Sequence, residues 1–216
     1  SEYPCEWAAT YTDNKIKSSS IDYCKEVKGK IKGIIVNSGS ANCCVGEQGL
    51  IDARNITNKC EEIFQSKSPF LMSSTGVIGV EIPVGLIISS IEKFSIDISG
   101  GERFSRAIIT TDSKTKNVSV EVNSKNGSYK IGGVAKGSGM IHPKMGTMLS
   151  YITTDADISS SNLTKILRKS VKNSFNQIDI DGDTSTNDTV VIMSNGASGN
   201  KIDTNEDIDK FQEALD

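Results

Sequence analysis

Lys136-Gly137-Ser138-Gly139-Met140-Ile141-His142-Pro143-Lys144-Met145-Gly146-Thr147-Met148-Leu149 is the stretch on which the reading of this chain turns. With Gly132 and Gly133 upstream, it holds more glycine than packing alone asks for, and such positions mark backbone that bends through positive φ or closely approaches another group. After Gly146 the composition flips to Thr-Met-Leu-Ser-Tyr-Ile-Thr-Thr-Asp, which predicts a buried strand starting at Thr147. A hydroxyl therefore stands where a glycine-rich loop meets a rigid strand. Threonine is stiff at χ1, so the strand would hold its oxygen in one direction, and Gly146 has no Cβ to shield its own carbonyl. The arrangement suits self-cleavage: Thr147 Oγ attacks the Gly146 carbonyl, the peptide shifts to an ester, and water frees Thr147 as a new N-terminus. Its amine could then act as general base to its own hydroxyl. The plain alternative is a glycine-rich turn entering an ordinary core strand.

Working outward, Asn117–Val122 and Tyr129–Gly133 flank Asn126-Gly127, a strong hairpin signal that delivers the chain to the glycine-rich loop. A helix is predicted from Gly101 to Ile109, ending at Thr110-Thr111-Asp112. Earlier, Pro69-Phe-Leu-Met reads as an apolar strand running into a Ser73-Ser74-Thr75-Gly76 turn, with a helix from about Pro83. Strand, small polar turn and helix start together would present N–H groups and a hydroxyl at one point, as an oxyanion hole requires; a simple capped turn is the alternative. Lys32–Val36 is a candidate strand feeding an Asn37–Gly46 loop, in which Asn37 and Asn42 read as structural. Gln48–Phe64 has apolar residues at helical spacing.

Downstream, Ser159–Phe175 predicts a serine-capped helix with Leu163, Ile166, Leu167 and Val171 on one face. Asp179-Ile-Asp-Gly-Asp-Thr-Ser-Thr-Asn-Asp-Thr189 invites a calcium reading, but Gly182 falls too early for an EF-hand loop and Val190 stands where a bidentate Glu is needed. The plainer expectation is a loop tied by side-chain-to-backbone bonds before a strand at Val190–Met193. The chain opens in an extended polar segment and closes in a helix, and both ends look cut.

A chain of 216 residues can bury roughly 70% of its unfolded surface. Its net charge of −3 argues against a nucleic-acid surface, since phosphate binding wants clustered Lys and Arg. No apolar run reaches the length of a membrane span and none reads as a signal peptide. Five Cys without paired Cys-x-x-Cys spacing, and one His, argue against zinc or a disulfide framework; buried thiols in a reducing cytoplasm are expected. Metal is expected nowhere. The single imidazole, His142, lies in the loop that cleavage would detach, which disfavours triad mechanisms.

Four stretches resemble the ornithine acetyltransferase (glutamate N-acetyltransferase) family of arginine biosynthesis: Lys136–Leu149, the Asn37-Ser-Gly-Ser-Ala-Asn42 turn, Pro69–Gly79 and Asp179–Thr189. The resemblance covers most of the chain. It implies an α/β fold of the Thr-nucleophile, self-processing type, with sheet strands covered by helices, residues 1–146 ending at the cleavage site and 147–216 beginning the second piece. It implies Thr147 as nucleophile, cleavage at Gly146-Thr147, and the Thr75 side chain with the Gly76 backbone as oxyanion hole. Substrate would be contacted by Thr147, by Lys136 and by Thr110 or Thr111, between which the sequence does not choose. The implied reaction moves acetyl from N2-acetyl-L-ornithine to L-glutamate with no cofactor, although some members also use acetyl-CoA as a co-substrate. The two pieces would stay together and assemble as two of each, in the cytoplasm, without membrane or nucleic acid. Members are about twice this long, and their second half contributes a Glu and other substrate-binding residues. Gly146 stands where Ala is more usual, and Lys144 where Asn or Asp is frequent; neither change removes the attacking hydroxyl or the carbonyl. The other readings are an N-terminal-nucleophile amidohydrolase or aminopeptidase, which hands the acyl group to water, and an inactive fragment serving as a binding subunit.

Overall fold

The computed structural model describes residues 1–94, 96–125, 127–142 and 148–216. Alternation of apolar and polar residues sets the central layer. Strands β1 (Glu6–Tyr11), β4 (Lys116–Ser124), β5 (Gly127–Lys136), β6 (Leu149–Thr154) and β7 (Thr189–Ser194) form one sheet in the order β1-β7-β6-β5-β4. Only the β6–β7 pairing is parallel. Because successive side chains on a strand face opposite ways, Leu149, Tyr151 and Val191 enter one core while Val190 and Ile192 enter another.

The second core lies under α5 (Ser160–Asn173) and α6 (Asn205–Leu215), where Leu163, Ile166, Leu167, Val171 and Phe211 are buried. Both helices start on hydroxyl caps: Ser159 accepts from the Asn162 N–H and Thr204 from the Asp207 N–H, the arrangement that satisfies free N–H groups at a helix start. The predicted helix to Phe175 stops at Asn173 and gives way to a short 3-10 turn, Phe175–Gln177.

The first core is shared with a two-stranded parallel pair, β2 (Gly33–Ser40) and β3 (Phe70–Val77), and with helices α1 (Ser19–Glu26), α2 (Gln48–Ile63) and α3 (Val84–Ile91). Helix α4 (Gly100–Ala107) joins it through Phe104, which meets Tyr151 edge-on at 5.4 Å. The predicted turns at Asn37–Ser40 and Ser73–Gly76 are corrected here. Both segments are strand, paired in register from Gly33↔Phe70 to Ser40↔Val77, because each supplies the other's backbone partners. Helix α3 begins at Val84 on Pro83, as expected, and that start lies away from Thr75 along the chain.

Gly76 has φ +133°, and a Cβ there would lie 2.2 Å from the Gly39 carbonyl carbon. The close approach of the paired strands at Gly39 and Gly76 therefore requires glycine. The hairpin of β4 and β5 is longer than the sequence suggested, and Asn126 lies outside the described residues. So do Gly146 and Thr147; the strand expected from Thr147 is described from Leu149, and Met148 before it is buried. Of the cysteines, Cys5, Cys24, Cys43 and Cys60 are buried free thiols, whereas Cys44 is exposed, against expectation. No helix is long and apolar enough to cross a membrane, among the described residues.

Candidate active site

Three chain segments far apart in sequence meet at the C-terminal end of β3. Thr75 is buried there, and Lys136, the last residue of β5, donates from Nζ to Thr75 Oγ1 at 2.6 Å. Lys136 is only 2% exposed, which removes its reading as a solvated surface cation. Burial pulls its pKa down, and the carboxylates of Asp112 and Asp188 oppose that pull without cancelling it. A buried cation needs such partners, because the desolvation cost is otherwise several kcal/mol.

Asp112 follows α4 and has its side chain fully covered. Its Oδ1 accepts from the Gly137 N–H at 2.7 Å and pairs with Lys116 Nζ at 2.5 Å. Burial alone would raise this carboxyl, but Lys116, the Gly137 N–H and the charge of Lys136 together hold it below the usual range. Thr111 Oγ1 lies 2.6 Å from Ser138 Oγ, tying the end of the α4 segment to the glycine-rich loop. Thr110 is exposed, and the structure brings it to no partner in that loop among the described contacts.

The Asp179–Thr189 segment, whose residues carry no individual role on sequence alone, is drawn into the same place. Ser185 to Thr189 are buried. Asn187 Nδ2 donates to the carbonyls of Ala41 and Ser74, both at 2.7 Å, so the loop is pinned to the ends of β2 and β3. The side-chain-to-backbone ties expected of this loop are present: Gly182 N–H to Asp179, Asp183 N–H to Asp181, Asn187 N–H to Ser185.

The same segment grips both flanks of residues 143–147. On one side Asp181 accepts from the Met140 N–H at 2.6 Å and the Ile141 N–H at 2.9 Å, and the Met140 bond above all holds its carboxyl low. His142 Nδ1 stands 3.4 Å from Asp179 Oδ1. On the other side Asp188 Oδ1 accepts the Met148 N–H at 2.9 Å. Asp188 is fully buried, and burial pushes its carboxyl up to about 7 against the opposing effects of the Met148 N–H, Ser185 and Lys136. Its Oδ2 has no hydrogen-bond partner among the described residues. Sequence reading assigned no role to Asp188 or Asn187, because their burial is made by β2, β3 and the entry to β6 and leaves no local pattern.

Asn42 is structural, as expected. It sits at φ +51° and its Nδ2 donates to Ser20 Oγ and the Gly49 carbonyl. Among the described residues no group of His, Cys, Asp or Glu is placed to hold a metal ion.

The chain matches the ArgJ family over residues 1–216. It is 48% identical over 206 residues to the arginine biosynthesis bifunctional protein ArgJ of Thermotoga neapolitana, an alignment that covers 93% of this chain and 52% of that protein. With the glutamate N-acetyltransferase of Methanothermobacter thermautotrophicus it shares 44% identity over 216 residues, covering 96% of this chain and 52% of that protein. The crystal structure of ArgJ from Bacillus halodurans superposes with a TM-score of 0.59 at 37% identity, covering 66% of this chain and 75% of that chain. This chain thus spans about half the length of the curated relatives it matches. On sequence and on fold, it belongs to the ArgJ family.

Proposed function

We propose that the protein transfers acetyl from N2-acetyl-L-ornithine to L-glutamate through an acetyl ester on Thr147, after cutting itself between Gly146 and Thr147. The observation that carries this reading is the buried Lys136–Thr75 bond beside Gly76. Thr75 Oγ1 accepts from a cation, so its own hydrogen is left to donate, and a hydroxyl polarised in this way is a stronger donor than a free one. An oxyanion formed on the acetyl group is what such a donor stabilises. Lys136 has three N–H groups, so holding Thr75 does not prevent it from also meeting a substrate carboxylate.

In the donor half-reaction the Thr147 amine takes the hydroxyl proton, Oγ bonds to the acetyl carbon, and the carbon–nitrogen bond to ornithine breaks as the amine returns the proton to that nitrogen. Glutamate's α-amine then attacks the ester and regenerates the hydroxyl. Acetyl-CoA could load the same oxygen as a thioester donor, with free thiol as leaving group. The free cysteines are consistent with work in a reducing cytoplasm. The two pieces remain together and pair with a second copy of each.

The test uses the full-length protein. Mixed with N2-acetyl-L-ornithine alone, it gains one acetyl group on the piece beginning at Thr147 and loses it when glutamate is added. Equally fast loss into water would make the protein a hydrolase; failure of acetyl to appear on a correctly cut protein would refute the covalent route, and an intact mass equal to the uncut chain would favour a binding subunit.

A further inference from the structure

Two thiols that take no part in the proposed reaction stand side by side. Cys43 and Cys44 lie just beyond the end of β2, with their Sγ atoms 3.8 Å apart. Cys43 is fully buried and Cys44 is exposed. Adjacent side chains in extended backbone point opposite ways, so the convergence of these two is made by the turn. Asn42 and Cys44 sit at φ +51° and +58°, a region that residues with a Cβ enter only at a cost. Backbone bonds hold the turn in place: the Cys43 carbonyl accepts the Gly79 N–H at 2.8 Å, and the Asn42 carbonyl accepts the Ser19 N–H at 2.9 Å. A disulfide does not suit this pair, because neighbouring Cα atoms stand about 3.8 Å apart, closer than the roughly 4.4–6.8 Å that a disulfide spans. One atom bonded to both sulfurs fits better. Bonds of about 2.3 Å from sulfur to a bridging centre, at a tetrahedral angle, put the two sulfurs about 3.8 Å apart. Zinc wants four ligands, and no third His, Cys, Asp or Glu joins the pair among the described residues. A trivalent arsenic centre that already carries one organic group needs only two sulfurs.

We propose that Cys43 and Cys44 form a dithiol site for a mono-substituted trivalent arsenical, which both sulfurs bond at once with the turn left as it stands. The step balances with neutral thiols. When an arsine oxide binds, the two S–H bonds and the arsenic–oxygen double bond break, two arsenic–sulfur bonds form, and the oxygen leaves as water with both protons. Arsenic stays trivalent, so no oxidant or reductant takes part. The exposed Cys44 makes the first bond and the buried Cys43 closes the ring. Burial holds the Cys43 thiol above its ordinary range, which keeps it in the protonated form that this step consumes. The site is independent of acetyl transfer and of Thr147.

The experiment treats the full-length protein with phenylarsine oxide in excess glutathione and reads intact mass, peptide masses and free thiols. The expected result is a single adduct on the peptide that holds Cys43 and Cys44, with both thiols lost, removed by a small dithiol but not by glutathione. Cys44→Ser and, separately, Cys43→Ala should each weaken retention by about a hundredfold or more, the advantage that two tethered contacts have over one. The adduct should also raise the midpoint of urea unfolding, because thiols already held at the bridging distance favour the folded chain over the unfolded one. Absence of an adduct in glutathione, or equal retention by Cys44→Ser, would overturn the proposal. So would an unchanged or lowered midpoint, since the pair would then owe its binding to adjacency in sequence and not to the fold. Should Cys43→Ala not fold, Cys44→Ser, at an exposed position, decides alone.

Discussion

Replacing Gly76 by Ala tests the packing on which the site is built. The new Cβ would stand 2.2 Å from the Gly39 carbonyl carbon, 2.4 Å from its oxygen and 2.6 Å from the Ser40 nitrogen. All three are backbone atoms of the paired strand, so no side chain can swing aside. The φ of +133° adds strain of about 1–3 kcal/mol for a residue with a Cβ, and overpacking adds about 1–3 kcal/mol more. These two costs sum to about 2–6 kcal/mol, with about 4 kcal/mol at the middle, a large share of the stability of a typical domain. Two controls separate the causes. Gly79→Ala, at φ +80° with open space around it, should cost about 1–2 kcal/mol from conformation alone. Gly85→Ala, inside α3 and facing open space, should stabilise by about 0.5–1 kcal/mol. Urea unfolding at constant slope measures all three. If Gly76→Ala unfolds within about 1 kcal/mol of Gly79→Ala, β2 and β3 do not approach as described, and the position of Thr75 loses its support.

Four further outcomes follow from the site. Thr75→Ala should lower kcat on the order of a hundredfold or more with the fold intact, while Thr75→Ser should retain most activity; steady-state kinetics decides, and wild-type turnover in the alanine variant removes Thr75 from the chemistry. Lys136→Met should raise the concentration of substrate needed, and should also destabilise by about 3–5 kcal/mol because Asp112 and Asp188 lose their buried cation; melting curves and KM read the two effects separately. Thr147→Ala in the full-length protein should leave one uncut chain by mass spectrometry. The carboxyl of Asp188 should make stability fall as pH rises: its pKa is raised by burial to about 7 from an unfolded value near 4, so the folded state binds more protons between these values. Its contribution is complete below about pH 4 and lost through pH 7, a change of about 4 kcal/mol that Asp188→Asn should abolish in unfolding curves.

Long periodic segments were legible before the structure. Helix α2 begins at Gln48 as predicted, and the strand over Val190–Met193 lies inside β7, because each carries an apolar pattern that tertiary contacts reinforce. Ser73–Gly76 was misread as a turn because small polar residues signal turns locally; here distant partners satisfy them, Ser20 Oγ at 2.8 Å from Ser74 Oγ and Asn187 on the Ser74 carbonyl. Helix α1 was missed: it is eight residues long and opens Ser-Ser-Ile-Asp, with too little periodicity to register. Resemblance named Thr75, Gly76 and Lys136, but no local pattern could reveal that Lys136 would be buried against a threonine 61 residues away. Asp188 was illegible for the same reason, since a carboxylate's burial is decided by the strands packed around it and not by its neighbours in sequence.

The sheet order β1-β7-β6-β5-β4 threads the chain so that β6 and β7, which follow Thr147, sit between β1 and β5, which precede it. Before the proposed cut, closing that arrangement is a unimolecular event within one tethered chain. Afterwards the same sheet is an interface between two molecules, with a ladder on each side that must open before they part. Unfolding by urea would release two separate pieces, and their recovery would slow with dilution, whereas an uncut Thr147→Ala chain would refold at a rate independent of concentration. The cut would thus turn a fold whose recovery is set by the chain itself into an assembly whose recovery is set by concentration.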